Sequence, residues 1–260
     1  MHTGLFPNGE SYVSTNDDYF YNKSYLKITL KFENNNDLIN LMFLKKHFDE
    51  QGKQCRLEVL YFPYSRMDRI NEHYVFSLKY ITDFINSLNF YKVTIMESHS
   101  DVTPALLDRV SNFSWIEKHI AQIKHAVGFN EELDLLCYPD AGAVKRYAHK
   151  LKTPYCYGSK LRNFQTGEIE EHSLIRTDFS TPNNVIIVDD LCSRGGTFKS
   201  MADQIIEEFG EAVSVYLAVA HCENNVFTGE IIKKESPIEK IFTSDSIIRP
   251  YHEKIEVIRA

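Results

Sequence analysis

The run Val185-Ile186-Ile187-Val188-Asp189-Asp190-Leu191-Cys192-Ser193-Arg194-Gly195-Gly196-Thr197 holds the residue types that a sugar phosphate would need. Its four β-branched residues predict a strand buried on both faces, and that strand ends in two acids. Two glycines follow, and Phe198, Met201, Ala202, Ile205, Ile206 and Phe209 then recur at helical spacing. Glycines let backbone N–H groups approach phosphate oxygens, a helix start supplies positive potential, and Ser193 and Thr197 offer hydroxyls. Carboxylates repel phosphate, so Asp189 and Asp190 suit instead the diol of a ribose that carries it. For Gly195–Thr197 alone, a tight turn with a hydroxyl helix cap is the better explanation of the residues. The acid pair on an apolar strand is what turns the reading toward a site.

Other candidates are ambiguous one by one. Lys160 and Arg162 sit at the start of a polar stretch, Ser159–Pro182, that reads as a long mobile loop. They are either solvated charges or cations meant for a phosphorylated ligand. His99 follows a short predicted strand and is a structural histidine or a metal partner. Asp140 precedes a predicted helix and is an N-terminal cap or a metal-facing carboxylate. Phe6, Phe62 and Tyr64 either pack or stack, and most of the 15 tyrosines and 17 phenylalanines belong to the core.

The elements that position these residues alternate between strand and helix patterns, as a parallel α/β sheet demands. Strands are predicted at Tyr25–Phe32, Arg56–Phe62, Lys92–Met96, Leu133–Tyr138, Val185–Val188, Val213–Ala220 and Lys240–Thr243. Helices are predicted from Asn36, a plausible cap, through Phe48, then at Ser77–Leu88, Trp115–Val127 and Gly142–Leu151. Pro154 stops the last of these from running on. The boundary between the halves is placed near Gly128–Glu132.

With 260 residues, two subdomains of ordinary size are expected. Lys+Arg 29 against Asp+Glu 36 leaves a net charge of −7, which argues against a general nucleic-acid binder. The apolar stretches are of strand length, far short of the ~20 residues of a membrane span. The first residues have no basic region leading into an apolar stretch, so no secretory signal is expected. Cys55, Cys137, Cys156, Cys192 and Cys222 are odd in number and form no C-x-x-C pair. Free, mostly buried thiols in a cytoplasmic protein are the simple expectation.

Asp189–Thr197 resembles the ribose-phosphate loop of the type I phosphoribosyltransferases, which runs from Asp-Asp to Thr-Gly-Gly-Thr; Arg194 stands where the first threonine would be. Other segments narrow the resemblance to the ribose-phosphate pyrophosphokinases. Tyr61-Phe62-Pro63-Tyr64-Ser65-Arg66-Met67-Asp68-Arg69 is similar to their Tyr-Phe-Pro-Tyr-Ala-Arg-Gln-Asp-Arg at the ATP site. Phe6-Pro7-Asn8-Gly9-Glu10 is similar to the loop that reaches a neighbouring subunit's adenine. Glu97-Ser98-His99-Ser100 resembles Asp-Leu-His-Ser, and Pro139–Arg146 resembles Pro-Asp-Ala-Gly-Gly-Val-Lys-Arg. Lys160-Leu161-Arg162 stands where the family has Lys-Arg-Arg. The order of these segments carries more weight than any one of them.

The resemblance implies two phosphoribosyltransferase-like subdomains, 1–128 and 129–260, each a mainly parallel sheet flanked by helices, with the last strand free to return to the N-terminal half. It implies transfer of the diphosphoryl group of Mg-ATP to the anomeric hydroxyl of a ribose 5-phosphate moiety, with release of AMP. Lys160 and Arg162 would be catalytic. Phe6, Asn8, Glu10, Arg66, Met67, Asp68 and His99 would bind ATP, and His99 and Asp140 would serve Mg2+. Asp189, Asp190, Ser193, Arg194, Gly195, Gly196 and Thr197 would bind the ribose phosphate. A homodimer or larger homo-oligomer is implied by the Phe6–Glu10 loop, with no nucleic-acid or membrane partner. Two acceptors stay open. Ribose 5-phosphate would give PRPP for nucleotide biosynthesis. ADP-ribose is used by compact relatives known from phage NAD salvage, whose short termini and altered loop look similar; the compartment would then be the host cytoplasm. A phosphoribosyltransferase that consumes PRPP, or a silent regulatory relative, are the rival readings.

Overall fold

The computed structural model describes residues 2–15, 23–70, 73–162, 169–175, 181–249 and 251–260, with the backbone alone for 159–162 and 169–173. The chain divides into two compact units, Met1–Ser114 and Trp115–Ala260.

The first unit begins with a hairpin of β1 (His2–Leu5) and β2 (Ser11–Ser14), followed by a four-stranded parallel sheet. That sheet runs in the order β3 (Tyr25–Lys31), β4 (Gln54–Tyr61), β5 (Lys92–Met96), β6 (Val110–Phe113). Alternation aims Leu26, Ile28, Leu30, Leu57, Val59, Val93 and Ile95 at one buried face. Helix α1 (Asn36–Glu50) covers it with Leu38, Leu41, Leu44 and Phe48, and α2 (Ser77–Ser87) adds Leu78 and Ile85. The short α3 (Val102–Leu106) precedes β6. Asn36 is expected from sequence to cap α1, but the cap position is Asn35, with no side-chain bond. Asp37 instead turns back to accept from the backbone N–H groups of Glu33 and Asn34 at 2.8 and 2.9 Å.

The second unit holds a seven-stranded sheet in the order β13-β12-β11-β10-β7-β8-β9. Its strands are β7 (Leu135–Tyr138), β8 (Tyr155–Arg162), β9 (Ile169–Ile175), β10 (Asn184–Cys192), β11 (Ser214–Cys222), β12 (Ile238–Thr243) and β13 (Ile255–Val257). All neighbours are parallel except β9, which pairs antiparallel with β8. Helices α4 (Trp115–Ala126), α5 (Ala141–Leu151) and α6 (Gly196–Phe209) belong to this unit. Val185, Ile186, Ile187 and Val188 in β10 have no exposed surface, the two-faced burial their composition predicts. Each such side chain contributes about 1.5–3 kcal/mol of transfer free energy, which makes β10 a rigid base for the turn at its C-terminal end. The buried Asp134 fixes the start of that strand, its Oδ1 accepting from the N–H groups of Asn183 and Asn184 at 2.9 and 2.8 Å.

Three expectations need correction. The division falls ahead of the predicted boundary near 128, because α4 buries Trp115, Ile116, Ile120 and Ile123 and packs against β11. The last strand does not return to the N-terminal half: β13 pairs with β12, Ile241 opposite Ile255. Much of the predicted mobile loop Ser159–Pro182 is paired backbone, with Tyr157 opposite Ile175 and Arg162 opposite Ile169. The mixed polar sequence of this stretch shows no clean two-residue alternation, so it reads as loop from sequence alone. All five cysteines are free and buried, as expected. Among the described residues, no helix is long and apolar enough to cross a membrane.

Candidate active site

In the second unit the candidate site forms at the C-terminal end of β10. The strand continues through Asp189 and Asp190 to Cys192, so both acids are held by sheet hydrogen bonding and not by a loop. Asp190 is buried and Asp189 half-buried. The Nη1 of Arg146, from α5, donates to Asp190 Oδ1 at 2.5 Å and to Asp189 Oδ1 at 3.3 Å. The backbone N–H of Asp190 also donates to Asp189 Oδ1, at 2.9 Å. Burial, and then the neighbouring charge of Asp190, push the Asp189 carboxyl well above the ordinary carboxylate range, while Arg146 pulls it back. For Arg146, burial alone would lower the pKa, but the charges of Asp190, Tyr147 and Asp189 outweigh it and raise it.

The turn after the strand is shaped by contacts the sequence did not announce. Gly195 has φ +82° and caps α6, a backbone conformation that L side chains rarely adopt. A Cβ there would meet Ile231. Behind the turn, a Cβ on Gly229 would run into the Arg194 carbonyl. The segment after the 3-10 turn Asn224–Thr228 therefore backs the loop closely. Gly196 and Thr197 are exposed at the first turn of α6, Ser193 is half-buried and Arg194 is exposed. Phe198, buried, anchors the helix beneath them.

Asp140 lies at the N-cap of α5, where its Oδ1 accepts from the backbone N–H of Ala143 at 3.0 Å, and it is exposed. The capping role is thus observed. Lys160 and Arg162 lie on β8, opposite His172 and Ile169.

In the first unit, the segments after β4 and β5 come together because those strands are neighbours, and both lie at strand C-terminal ends, where open α/β sheets bind ligands. Asp68, buried, accepts from Arg69 Nε at 2.9 Å and is hydrogen-bonded to Ser100. Burial works to raise its pKa, but those two hydrogen bonds and the charges of Arg69 and His99 hold it below the ordinary value. His99 is half-buried, Met67 half-buried and Arg66 exposed. Glu97 has φ +45° and is buried, with its carboxylate accepting from Ser114 Oγ at 2.8 and 3.1 Å. Tyr64, at φ +58°, donates to Asn35 Oδ1 at 2.6 Å. These two positive φ values bend the chain out of each strand end. Phe6, Asn8 and Glu10 are exposed on the hairpin tip, which is closed by Phe6 N–H to Glu10 O and Gly9 N–H to Phe6 O, both 2.8 Å.

Among the described residues, no three His, Cys, Asp or Glu side chains gather as a metal site. Magnesium needs no such cage, since it keeps several waters and takes one or two carboxylates plus phosphate oxygens. The exposed carboxylate of Asp140 fits that chemistry, and His99 fits a contact made through water.

Arg146 and Gly229 were missed by sequence reasoning. The arginine sits inside a recognised segment, two turns into its helix, and only the fold brings it to β10. Gly229 carries no periodic signal at all.

No protein-family model matches the chain. Curated relatives do. A ribose-phosphate pyrophosphokinase of Saccharolobus solfataricus is 27% identical over 222 residues, 84% of this chain and 74% of its own length. That of Sulfurisphaera tokodaii is 26% identical over 251 residues, 94% of this chain and 83% of its own. A phosphoribosylpyrophosphate synthetase structure from Mycobacterium smegmatis superposes with TM-score 0.77, covering 99% of this chain and 85% of that one at 16% identity. The fold is that of a phosphoribosylpyrophosphate synthetase, two α/β units of parallel sheet flanked by helices. By sequence, the chain is similar to ribose-phosphate pyrophosphokinases at 26–27% identity over most of its length.

Proposed function

We propose that the protein is an ATP-dependent diphosphotransferase acting on ribose 5-phosphate to give PRPP and AMP. The observation that carries the reading is the acid pair Asp189–Asp190 at the end of a buried strand, followed directly by a glycine-capped helix start. The relatives' shared name supports the same activity.

The anomeric hydroxyl oxygen attacks the β-phosphorus of ATP, the bond from that phosphorus to the α-phosphate oxygen breaks, AMP leaves, and the hydroxyl proton passes to solvent. Asp189 and Asp190 orient the ribose diol. Ser193, Gly195, Gly196 and Thr197 hold the 5-phosphate through hydroxyls and the free N–H groups of the first turn of α6. Arg194 stands at the exposed rim of that cradle. Arg66, Met67, Asp68 and His99 line the ATP side, with Asp68 fixing its loop through Ser100. Phe6, Asn8 and Glu10 present a hairpin tip for a neighbouring subunit's nucleotide, in a homodimer or larger homo-oligomer. Lys160 and Arg162 stabilise charge on the transferring group, since such transfers need positioning and electrostatics more than covalent help. His99 in the first unit and Asp140 in the second are each suited to serve Mg2+, directly or through water, and the ion would offset charge on the phosphates.

ADP-ribose is the second reading, and one observation favours it: Arg194 is exposed beside the cradle, where a cation could meet a diphosphate bridge. Mass spectrometry of products from ATP with ribose 5-phosphate and ADP-ribose in competition tests both. Ribose 5-phosphate should be consumed with equimolar AMP. No AMP with either acceptor would end the proposal.

A further inference from the structure

The two acids at the end of β10 are not equivalent. Asp190 is buried and receives the short bond from Arg146, whereas Asp189 is 20% exposed at its side chain and receives that same nitrogen at 3.3 Å. Two adjacent carboxylates sharing a largely covered site repel each other, and one nearby cation can neutralise one of them. Arg146 is itself mostly covered, with 19% of its side chain exposed, and its guanidinium lies 5.5 Å from the Tyr147 ring. It comes from the helix whose N-cap is Asp140, so one rigid element carries both the exposed carboxylate and the arginine.

We propose that Arg146 is a positioning residue that clamps Asp190 and thereby leaves Asp189 as the carboxylate that engages the sugar diol of the acceptor. The assignment rests on the ribose reading of this loop. Arg146 touches neither substrate nor transferred group; it acts through the acids. The guanidinium suits the role because its rigid plane holds one nitrogen against both carboxylates, which a flexible lysine ammonium does less well.

The test combines calorimetric titration of ribose 5-phosphate without ATP and steady-state kinetics, on wild type, Arg146→Ala, Arg146→Lys, Asp189→Ala, Asp190→Ala and the double variants. Arg146→Ala should weaken ribose 5-phosphate binding about 10- to 100-fold, the worth of one charge-assisted hydrogen bond. The KM for ATP should stay near the wild-type value, a split that general loss of structure would not produce. Guanidinium ion should restore part of the acceptor affinity of Arg146→Ala, and methylammonium at equal concentration should not. Arg146→Ala with Asp190→Ala should cost little more than the worse single variant, and Arg146→Ala should add little to Asp189→Ala, because the arginine acts only through the acids. Unchanged acceptor affinity in Arg146→Ala, or additivity with Asp190→Ala, overturns the inference. If Arg146→Ala does not fold, Arg146→Lys decides by the same titration, and wild-type affinity there overturns it. Absence of AMP release from wild type would instead strike the proposed reaction, since the titration reads the acceptor site without turnover.

Discussion

Arg146 Nη1 reaches Asp190 Oδ1 at 2.5 Å, joining a helix to a strand 44 residues further along the chain. Both groups are largely covered, at 19% and 6% side-chain exposure, so neither is solvated well enough to stand alone. Removing one partner from such a pair strands the other's charge. Asp190→Ala should therefore destabilise the protein by about 3 kcal/mol, read from urea unfolding monitored by the single tryptophan, Trp115, which lies in the same unit. An unfolding midpoint equal to wild type would mean that the pair contributes nothing to the fold.

Gly229 offers a sharper structural test, because its effect should reach the proposed ribose-phosphate loop without altering any residue of it. A Cβ at 229 would run into the Arg194 carbonyl, which is backbone and cannot rotate away. Gly229→Ala should displace the Arg194–Gly195 turn, cost about 1–3 kcal/mol of stability and raise the acceptor KM more than the KM for ATP. Kinetics of the purified variant against both substrates would show the asymmetry. Gly196→Ala makes the contrast for stability alone, since a Cβ there meets no protein atom nearby while the residue itself belongs to the proposed cradle.

How much could be read in advance depends on how local each signal is. Val185–Thr197 was legible because burial, strand end, glycines and helix start all fall within one continuous run. The helices Ser77–Ser87 and Trp115–Ala126 were legible from their apolar stripes. The hairpin β1–β2, the edge strand β6 and the pair β8–β9 were not, since their short or polar sequences show no firm period. The domain boundary was misplaced because nothing in the composition of α4 says which sheet it will cover. Arg146 escaped for the opposite reason: it lies in a segment that was noticed, but its role depends on a strand that arrives much later in the sequence.

Asp68 should make the first unit acid-sensitive at a defined place. Its carboxyl is held below the ordinary value, so the folded state prefers the ionised form more than the unfolded chain does. The stabilisation is present in full above the unfolded carboxylate range, at about pH 4 and higher, and is lost as pH falls through the lowered folded value. Asp68→Asn should remove that dependence, giving a variant less stable than wild type at pH 7 but converging with it in strong acid. Thermal unfolding from pH 7 downward would trace the two curves, and parallel curves would show that Asp68 is not the responsible group.

Lys160 should act on rate more than on affinity if it stabilises the transferring group. Lys160→Ala should lower kcat by about 10²- to 10³-fold while leaving both KM values near wild type. Rapid-quench measurement of AMP in a single turnover would place the defect at the chemical step. Full turnover in this variant would remove Lys160 from the transfer machinery.

Under the proposed function, Phe6 would connect the reaction to assembly. It is 52% exposed on the hairpin tip, with its ring 5.1 Å from that of Tyr12, an arrangement that leaves a large apolar surface in water within its own chain. If that ring completes a neighbouring subunit's nucleotide site, a protomer lacking Phe6 damages its partner's site and not its own. Lys160→Ala protomers lack the transfer cation but still carry an intact hairpin, so the two defects should complement each other. Mixing Phe6→Ala and Lys160→Ala proteins, after mild dissociation and reassembly, should yield AMP release well above the sum of the separate preparations. In a mixed dimer, one of the two sites then joins an intact lysine to an intact phenylalanine. Were both residues to serve the same subunit's site, no mixture would exceed that sum, and the hairpin would have to be reassigned to packing or to a site within its own chain.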